Sequence, residues 1–158
     1  MLFCGINPGL YSGAVGHHFA RPGNRFWAAL FASGFTDRLL APEQERSLLD
    51  FGVGITNLVG RATASADELE RAELERGARR LEETIRQFRP AVVAVLGVGA
   101  YRAAFGERAA VGPQAHRLAG ARLWVLPNPS GLQARYQLPE LAALFRALRE
   151  AAEAPDSR

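Results

Sequence analysis

Leu2-Phe3-Cys4-Gly5-Ile6-Asn7-Pro8-Gly9 is the stretch on which the reading of the fold turns. An apolar run breaks into a Gly/Asn/Pro/Gly cluster, the pattern of a buried strand ending in a tight turn. Pro8 has no N–H to give to a ladder and fixes its own φ, so the strand stops there. It also biases Asn7 toward extended backbone. The two glycines let backbone approach a ligand closely. Asn7 is therefore a polar side chain held at the carboxyl end of a strand, the edge at which open α/β sheets bind their ligands. An Asn there orients a water or a base but takes no proton. For the pentapeptide alone, the commoner reading is a plain turn whose Asn satisfies its own backbone.

The same signature returns near the other end of the chain. Leu123-Trp124-Val125-Leu126 breaks at Pro127-Asn128-Pro129-Ser130-Gly131-Leu132, with Arg135 beyond. Two further strands lie between. Val53–Val59 carries Asn57 near its carboxyl end, and Ala91–Leu96 is apolar throughout, hence buried on both faces. Asp50 precedes its strand and is expected at the opposite edge. Helical patterns separate the strands. One runs from Asn24, a capping residue, to about Ser33, with Gly34 as its stop. A short charged helix starts at Pro42 and ends near Gly52. Ser65 and Glu68 form a capping box ahead of a long helix, which reaches Phe88 on the stripe Leu74, Ala78, Leu81, Ile85 and Phe88. Another short helix spans Gly97 to Gly106, and the last begins at Pro139. Leu10–Gly16 reads as a Gly-rich loop delivering His17-His18-Phe19-Ala20-Arg21-Pro22-Gly23. Strands alternating with helices predict a parallel sheet with helices on both faces. Both Asn-Pro turns then open on one edge. A single domain over residues 1–154 is expected, with 155–158 a tail that frays.

The 158 residues are enough for one domain with a real core, and 48% hydrophobic content marks a globular chain. A single cysteine, Cys4, excludes an intramolecular disulfide, a four-cysteine zinc site and a four-cysteine iron–sulfur cluster. No apolar run reaches membrane-spanning length and no signal peptide is visible. A cytoplasmic protein is the default, and the abrupt opening on a strand leaves room for an extension ahead of Met1. All 19 basic residues are arginine, and the formal net charge is +3. Arginine suits bidentate phosphate contacts, although a GC-rich genome produces the same bias. Without lysine, Schiff-base chemistry is closed to every side chain and left only to the N-terminal amine. His17 and His18 are a weak metal signal, because strand neighbours point opposite ways and no carboxylate or cysteine is spaced to join them. Gly97-Val98-Gly99 is half of a dinucleotide fingerprint with Arg102 at the third glycine position, again weak.

Taken together, Gly-Ile-Asn-Pro-Gly at 5–9 and Asn-Pro-Ser-Gly-Leu at 128–132 resemble the mismatch-specific uracil-DNA glycosylase and thymine-DNA glycosylase family, a branch of the uracil-DNA glycosylase superfamily. The resemblance continues through Gly16-His17-His18-Phe19, Pro22-Gly23-Asn24-Arg25-Phe26-Trp27, Gly54-Ile55-Thr56-Asn57-Leu58-Val59 and Trp124-Val125-Leu126-Pro127. It spans nearly the whole chain in the expected order. It implies a three-layer α/β/α fold with a short four-stranded, mainly parallel sheet. The implied activity is hydrolysis of the N-glycosidic bond of uracil and related damaged bases, notably in G·U mismatches, leaving an abasic site in base-excision repair. By this match Asn7 positions the attacking water, and Ile6 and Phe19 bind the flipped base, with Phe19 stacking on it. Asn128, Pro129, Ser130, Gly131 and Leu132 enter the duplex, Leu132 as the wedge. The implied partner is double-stranded DNA carrying uracil or a mismatched base, met by a monomer without cofactor, metal or membrane, in the cytoplasm or, in a eukaryote, the nucleus.

The chemistry of these residue types agrees. A base inside a duplex is out of reach, so the enzyme must extrude it and fill the gap, and apolar side chains serve as such wedges. Phe19 has two readings, a core anchor of its loop or an aromatic plate for a planar ligand. Asn57 is the second polar group aimed at the pocket, and Tyr11, Phe19 and Asn57 together are expected to set its volume. Arg21, Arg25, Arg61 and Arg135 are candidates to grip phosphates. Because Asn is no general base, the expected reaction is dissociative and slow, and the missing lysines predict no strand-nicking lyase step. Two other classes stay open: a damage-binding DNA module with little turnover, and a nucleotide-binding enzyme built on Gly97-Val98-Gly99.

Overall fold

A computed structural model describes residues 1–106 and 108–157; Glu107, and Arg158 at the end of the expected tail, lie outside the described residues. Five strands form one sheet in the order β2-β1-β3-β5-β4. They are β1 (Leu2–Gly5), β2 (Gly54–Asn57), β3 (Val92–Leu96), β4 (Gly112–Leu118) and β5 (Ala121–Leu126). β1, β2, β3 and β5 run parallel, and β4 is antiparallel to β5. The helices are α1 (Leu10–Val15), α2 (Phe26–Ala32), α3 (Arg71–Phe88), α4 (Val98–Phe105) and α5 (Leu138–Glu153), with 3₁₀ segments at Pro42–Phe51 and Ala66–Glu68.

The sheet corrects the expected four strands to five. β4 reads Gly-Pro-Gln-Ala-His-Arg-Leu, which has no apolar alternation, because it is an edge strand lying largely in solvent. Its place is set by pairing with β5 across a tight turn in which Ala119 and Gly120 both take positive φ, the geometry favoured in two-residue hairpins. Pro113, which has no ladder N–H, sits beside the register shift between Pro113 and Arg117, as edge strands allow. Past α5, Asp156 reaches back to the same strand and accepts from Arg117 Nη2 at 2.6 Å.

Strand alternation divides the core in two. Leu2, Cys4, Val93, Val95, Leu123 and Val125 pack on one face against Leu74, Leu81 and Ile85 of α3 and Tyr101 of α4. Phe3, Ala94, Leu96 and Leu126 pack on the other against Phe26 and Leu30 of α2 and Leu141, Phe145 and Leu148 of α5. This is the three-layer α/β/α arrangement. α3 comes close enough to the loop after β2 that a Cβ on Gly77 would lie 2.3 Å from the Leu58 carbonyl oxygen.

Three local expectations shift. Leu10–Val15 is a helix rather than a loop, closed by Gly16 at φ 76°; Gly13 inside it and Gly16 after it mask the helical pattern. The Ser65/Glu68 capping box forms, but on the 3₁₀ turn Ala66–Glu68, so α3 starts only at Arg71. The N-cap of α2 is Arg25, without a side-chain cap bond, rather than the expected Asn24 one residue earlier, whose Oδ1 accepts from the Phe26 N–H at 3.0 Å. No helix among the described residues is long and apolar enough to cross a membrane.

β1 and β3 are neighbours whose onward connections diverge, β1 leading to β2 on one side and β3 to β4 and β5 on the other. Loops that part in this way leave a crevice at the carboxyl ends of the strands.

Candidate active site at the carboxyl edge of the sheet

That crevice is an open cleft of about 510 Å³. Its walls come from six places in the chain: the turn Gly5–Gly9 at the end of β1, the start of α1 with the loop through Asn24, Asn57 at the end of β2, Thr63–Ala66, Leu96 at the end of β3, and Asn128–Gln133 after β5. The two Asn-Pro turns, more than a hundred residues apart in sequence, face one space.

Asn7 is fixed by two hydrogen bonds. Its Nδ2 donates to the Arg61 carbonyl and to Thr63 Oγ1, both at 2.8 Å. A carbonyl only accepts, so the amide has one possible orientation. Thr63 Oγ1 donates its own proton to the Ser65 carbonyl at 2.8 Å and so receives from Asn7. Thr63 N–H also donates to the Pro8 carbonyl at 3.2 Å, stitching this loop to the turn. With Nδ2 committed, Asn7 presents Oδ1, an acceptor with no partner among the described residues. Thr63, buried at 4% exposure, is a site residue that nothing in its local sequence pattern marks.

Gly5 lets the opposite wall form. A Cβ there would sit 2.5 Å from Asn57 Oδ1 and 3.1 Å from Phe19 Cζ. Register explains the meeting, since Gly5 pairs with Asn57 and paired residues share a face. Asn57 and Phe19 therefore close over a missing side chain. The Phe19 ring stacks on Phe26 at 4.1 Å. Its backbone lies in the left-handed region, at φ 52°, a strain that persists only when neighbours over-determine it. They do so here: His18 N–H donates to Glu45 Oε2 at 2.8 Å, Trp27 Nε1 to the His18 carbonyl at 3.1 Å, and Ala20 N–H to Ser12 Oγ at 3.0 Å. Ile6 lines the cleft from the other side of the strand, packed into the space left by Gly97 at φ 141°, where a Cβ would meet its Cδ1 at 2.9 Å. Gly97 makes room for Ile6 rather than for a nucleotide phosphate.

The 128–133 turn is built from its own polar groups. Asn128 Oδ1 accepts from the Ser130 N–H at 3.1 Å, and Ser130 Oγ from the Leu132 N–H at 3.3 Å. Gly131 packs where a Cβ would lie 2.6 Å from the Gly23 carbonyl oxygen. Leu132 stands at the rim, 74% exposed. Arg135 is exposed over the Tyr136 ring, 5.4 Å from its centroid, and lies outside the cleft lining.

Three of the expected residues direct their side chains elsewhere than into the cleft. Tyr11 does not line the cleft: α1 turns it outward, 48% exposed, and directs Ser12 inward. The Arg61 guanidinium is turned onto α3, with Nε and Nη2 on the Glu73 carboxylate at 2.9 and 3.0 Å. That bond raises the Arg61 pKa and holds Glu73 down to about 2. Arg61 serves the cleft through its carbonyl. Arg25 likewise spends its guanidinium on backbone carbonyls of residues 130, 133 and 136.

No Asp or Glu lines the cleft among the described residues, and Arg21 is its one arginine. His18 is held below its ordinary pKa chiefly by burial, with Glu45 opposing and His17 adding a smaller push downward. Among the described residues no group of three or more His, Cys, Asp or Glu could hold a metal ion. The arrangement offers a fixed acceptor, an aromatic wall, an exposed apolar tip and a cationic rim, which suits a planar uncharged group attached to an anionic chain.

A family model described as the uracil DNA glycosylase superfamily matches residues 1–152. The chain belongs to that superfamily, whose members are DNA glycosylases acting on uracil.

Proposed function

Within that superfamily, we propose that this chain is a monofunctional glycosylase. It flips uracil and related damaged bases, notably uracil opposite guanine, out of duplex DNA and hydrolyses the N-glycosidic bond, leaving an abasic site. The observation that carries the reading is the Asn7 amide, locked by the Arg61 carbonyl and Thr63 so that Oδ1 is the unused acceptor. That atom holds a water by one of its protons and aims the water oxygen at the sugar.

In the reaction the C1′–N1 bond breaks, its electron pair leaves on uracil N1, and water oxygen joins C1′ while its proton passes to solvent or to the departing base. Asn7 takes no proton, and among the described residues no carboxylate lines the cleft. Bond breaking therefore leads and water addition follows. Rate then depends on leaving-group quality, which favours uracil over thymine. Phe19 is the plate on which the flipped base stacks, Ile6 and Asn57 close its pocket, and Leu132 fills the vacated position in the stack. Arg21 on the rim and Arg135 beyond the wedge are placed to meet phosphates.

The test is a single-turnover assay with excess enzyme and a labelled duplex carrying one G·U pair. Strand breakage should appear only after alkali, since no lysine is present to cleave the sugar. Asn7→Ala should slow release by about 10²-fold or more, as loss of a positioning contact does. Tight binding to the G·U duplex without release would instead favour a damage-binding module, the reading supported by the lack of an acidic group lining the cleft among the described residues.

A further inference from the structure

Arg25 is the N-cap residue of α2, immediately before Phe26, and stands outside the cleft lining. Its guanidinium donates to the Ser130 carbonyl at 2.6 Å, to the Gln133 carbonyl at 2.9 Å and to the Tyr136 carbonyl. Its backbone N–H donates to the Pro129 carbonyl at 3.0 Å. One residue thus takes four carbonyls of a single eight-residue stretch. Among the described residues the stretch's other hydrogen bonds are local: Ser130 N–H to Asn128, Leu132 N–H to Ser130, Gln133 N–H to Ser130, and Gln137 to Ala134. These shape the turn but do not tie it to the body of the protein. Arg25 does, helped by the close seating of Gly131 on Gly23. The next residue, Phe26, is the ring on which Phe19 stacks.

We infer that Arg25 is a positioning residue that latches the 128–136 loop to the base pocket, so that Leu132 enters the duplex at a fixed distance from the Phe19 plate and insertion and base seating occur as one event. The inference rests on the glycosylase reading and deepens it. Only a planar fork with five donors spans carbonyls from three positions of a turn. Lysine keeps the charge and offers one compact point, so Arg25→Lys separates the latch from simple attraction for DNA.

The experiment compares two substrates in single turnover: uracil paired with guanine in a duplex, and the same uracil in a bubble of mismatches, already unstacked. Arg25→Lys is expected to slow release from the paired substrate by about 10²-fold and from the bubble by less than about threefold. Leu132→Ala should show the same preference. The double variant should be no slower than the slower single one, because residues acting through one device are not additive. Equal losses on both substrates, or additive losses, would overturn the latch. If Arg25→Lys does not fold, Gly131→Ala loosens the same loop at its second attachment, its methyl meeting the Gly23 carbonyl at 2.6 Å, and must give the same duplex-selective loss. Should the unaltered protein release uracil from neither substrate, the glycosylase reading fails. The latch is then judged by amide hydrogen exchange over residues 130–136, which Arg25→Lys must accelerate while leaving α1 unchanged; unchanged exchange in the loop overturns it.

Discussion

Thr63→Val removes one hydroxyl and almost no volume, and it tests whether Asn7 is oriented by the network or merely near it. Thr63 Oγ1 accepts from Asn7 Nδ2 and donates to the Ser65 carbonyl, each at 2.8 Å, at a position only 4% exposed. Two hydrogen bonds disappear, each worth about 1 kcal/mol net, and the Ser65 carbonyl and one Nδ2 proton lose their partner, so destabilisation of about 1–3 kcal/mol is expected. For a domain of this size that lowers Tm by about 2–12 °C. The effect on rate is separable. The Arg61 carbonyl still binds the other Nδ2 proton at 2.8 Å, so the amide does not reverse; it loses one of two restraints. The population of the productive rotamer should fall by about five- to tenfold, the equivalent of that one bond. The drop should appear in kcat, with KM unchanged, because contacts to base and duplex lie elsewhere. Thr63→Ser keeps the hydroxyl and should restore most of the rate. A Thr63→Val protein with lowered Tm and full single-turnover rate would refute the reasoning, as would a serine variant as slow as the valine one.

Two further outcomes follow from packing and charge. Gly77→Ala improves helix propensity by about 1 kcal/mol, yet its methyl would lie 2.3 Å from the Leu58 carbonyl oxygen and 2.8 Å from the carbonyl carbon; backbone cannot swing aside, so overpacking of about 1–3 kcal/mol wins and thermal melting should show a lower Tm. Glu73, held down to about 2 by Arg61 from an ordinary 4.5, stabilises the fold above pH 4.5, and that contribution is lost as pH falls toward 2. Glu73→Gln should therefore flatten the decline of Tm across that window, modestly, since the pair lies at a screened surface; an identical acid limb in both proteins would show that the pair does not bias folding.

Much of the site was legible because its signals are local. Pro8 and Pro127 stop strands wherever they stand, so the two Asn-Pro turns and their common edge follow from the order of strands and helices. Asn57 reads from its place at the end of β2. β4 was not legible, because an edge strand that buries little has no apolar period to display and is held by its partner β5. Helix α1 hid behind Gly13 and Gly16. Tyr11 was misplaced as a consequence: in a loop it could face the pocket, but helical geometry fixes it one position away from Ser12, which does.

The arginines mark the boundary most clearly. Sequence determines that every cation here is a guanidinium and that several stand beside the functional edge. It does not determine what each fork meets, since that depends on carbonyls and carboxylates tens of residues away. Arg61 meets Glu73 and offers only its carbonyl to Asn7, Arg25 meets the loop at 130–136, and Arg21 is left on the rim. The sequence by itself determined the α/β alternation, the strand ends and the residue types gathered at the carboxyl edge, because these follow from short-range sterics and burial patterns. Only the tertiary structure decided the orientation of Asn7, the room above Gly5 for Phe19 and Asn57, and the division of the arginines between scaffold and surface, because each is fixed by contacts between segments far apart in the chain.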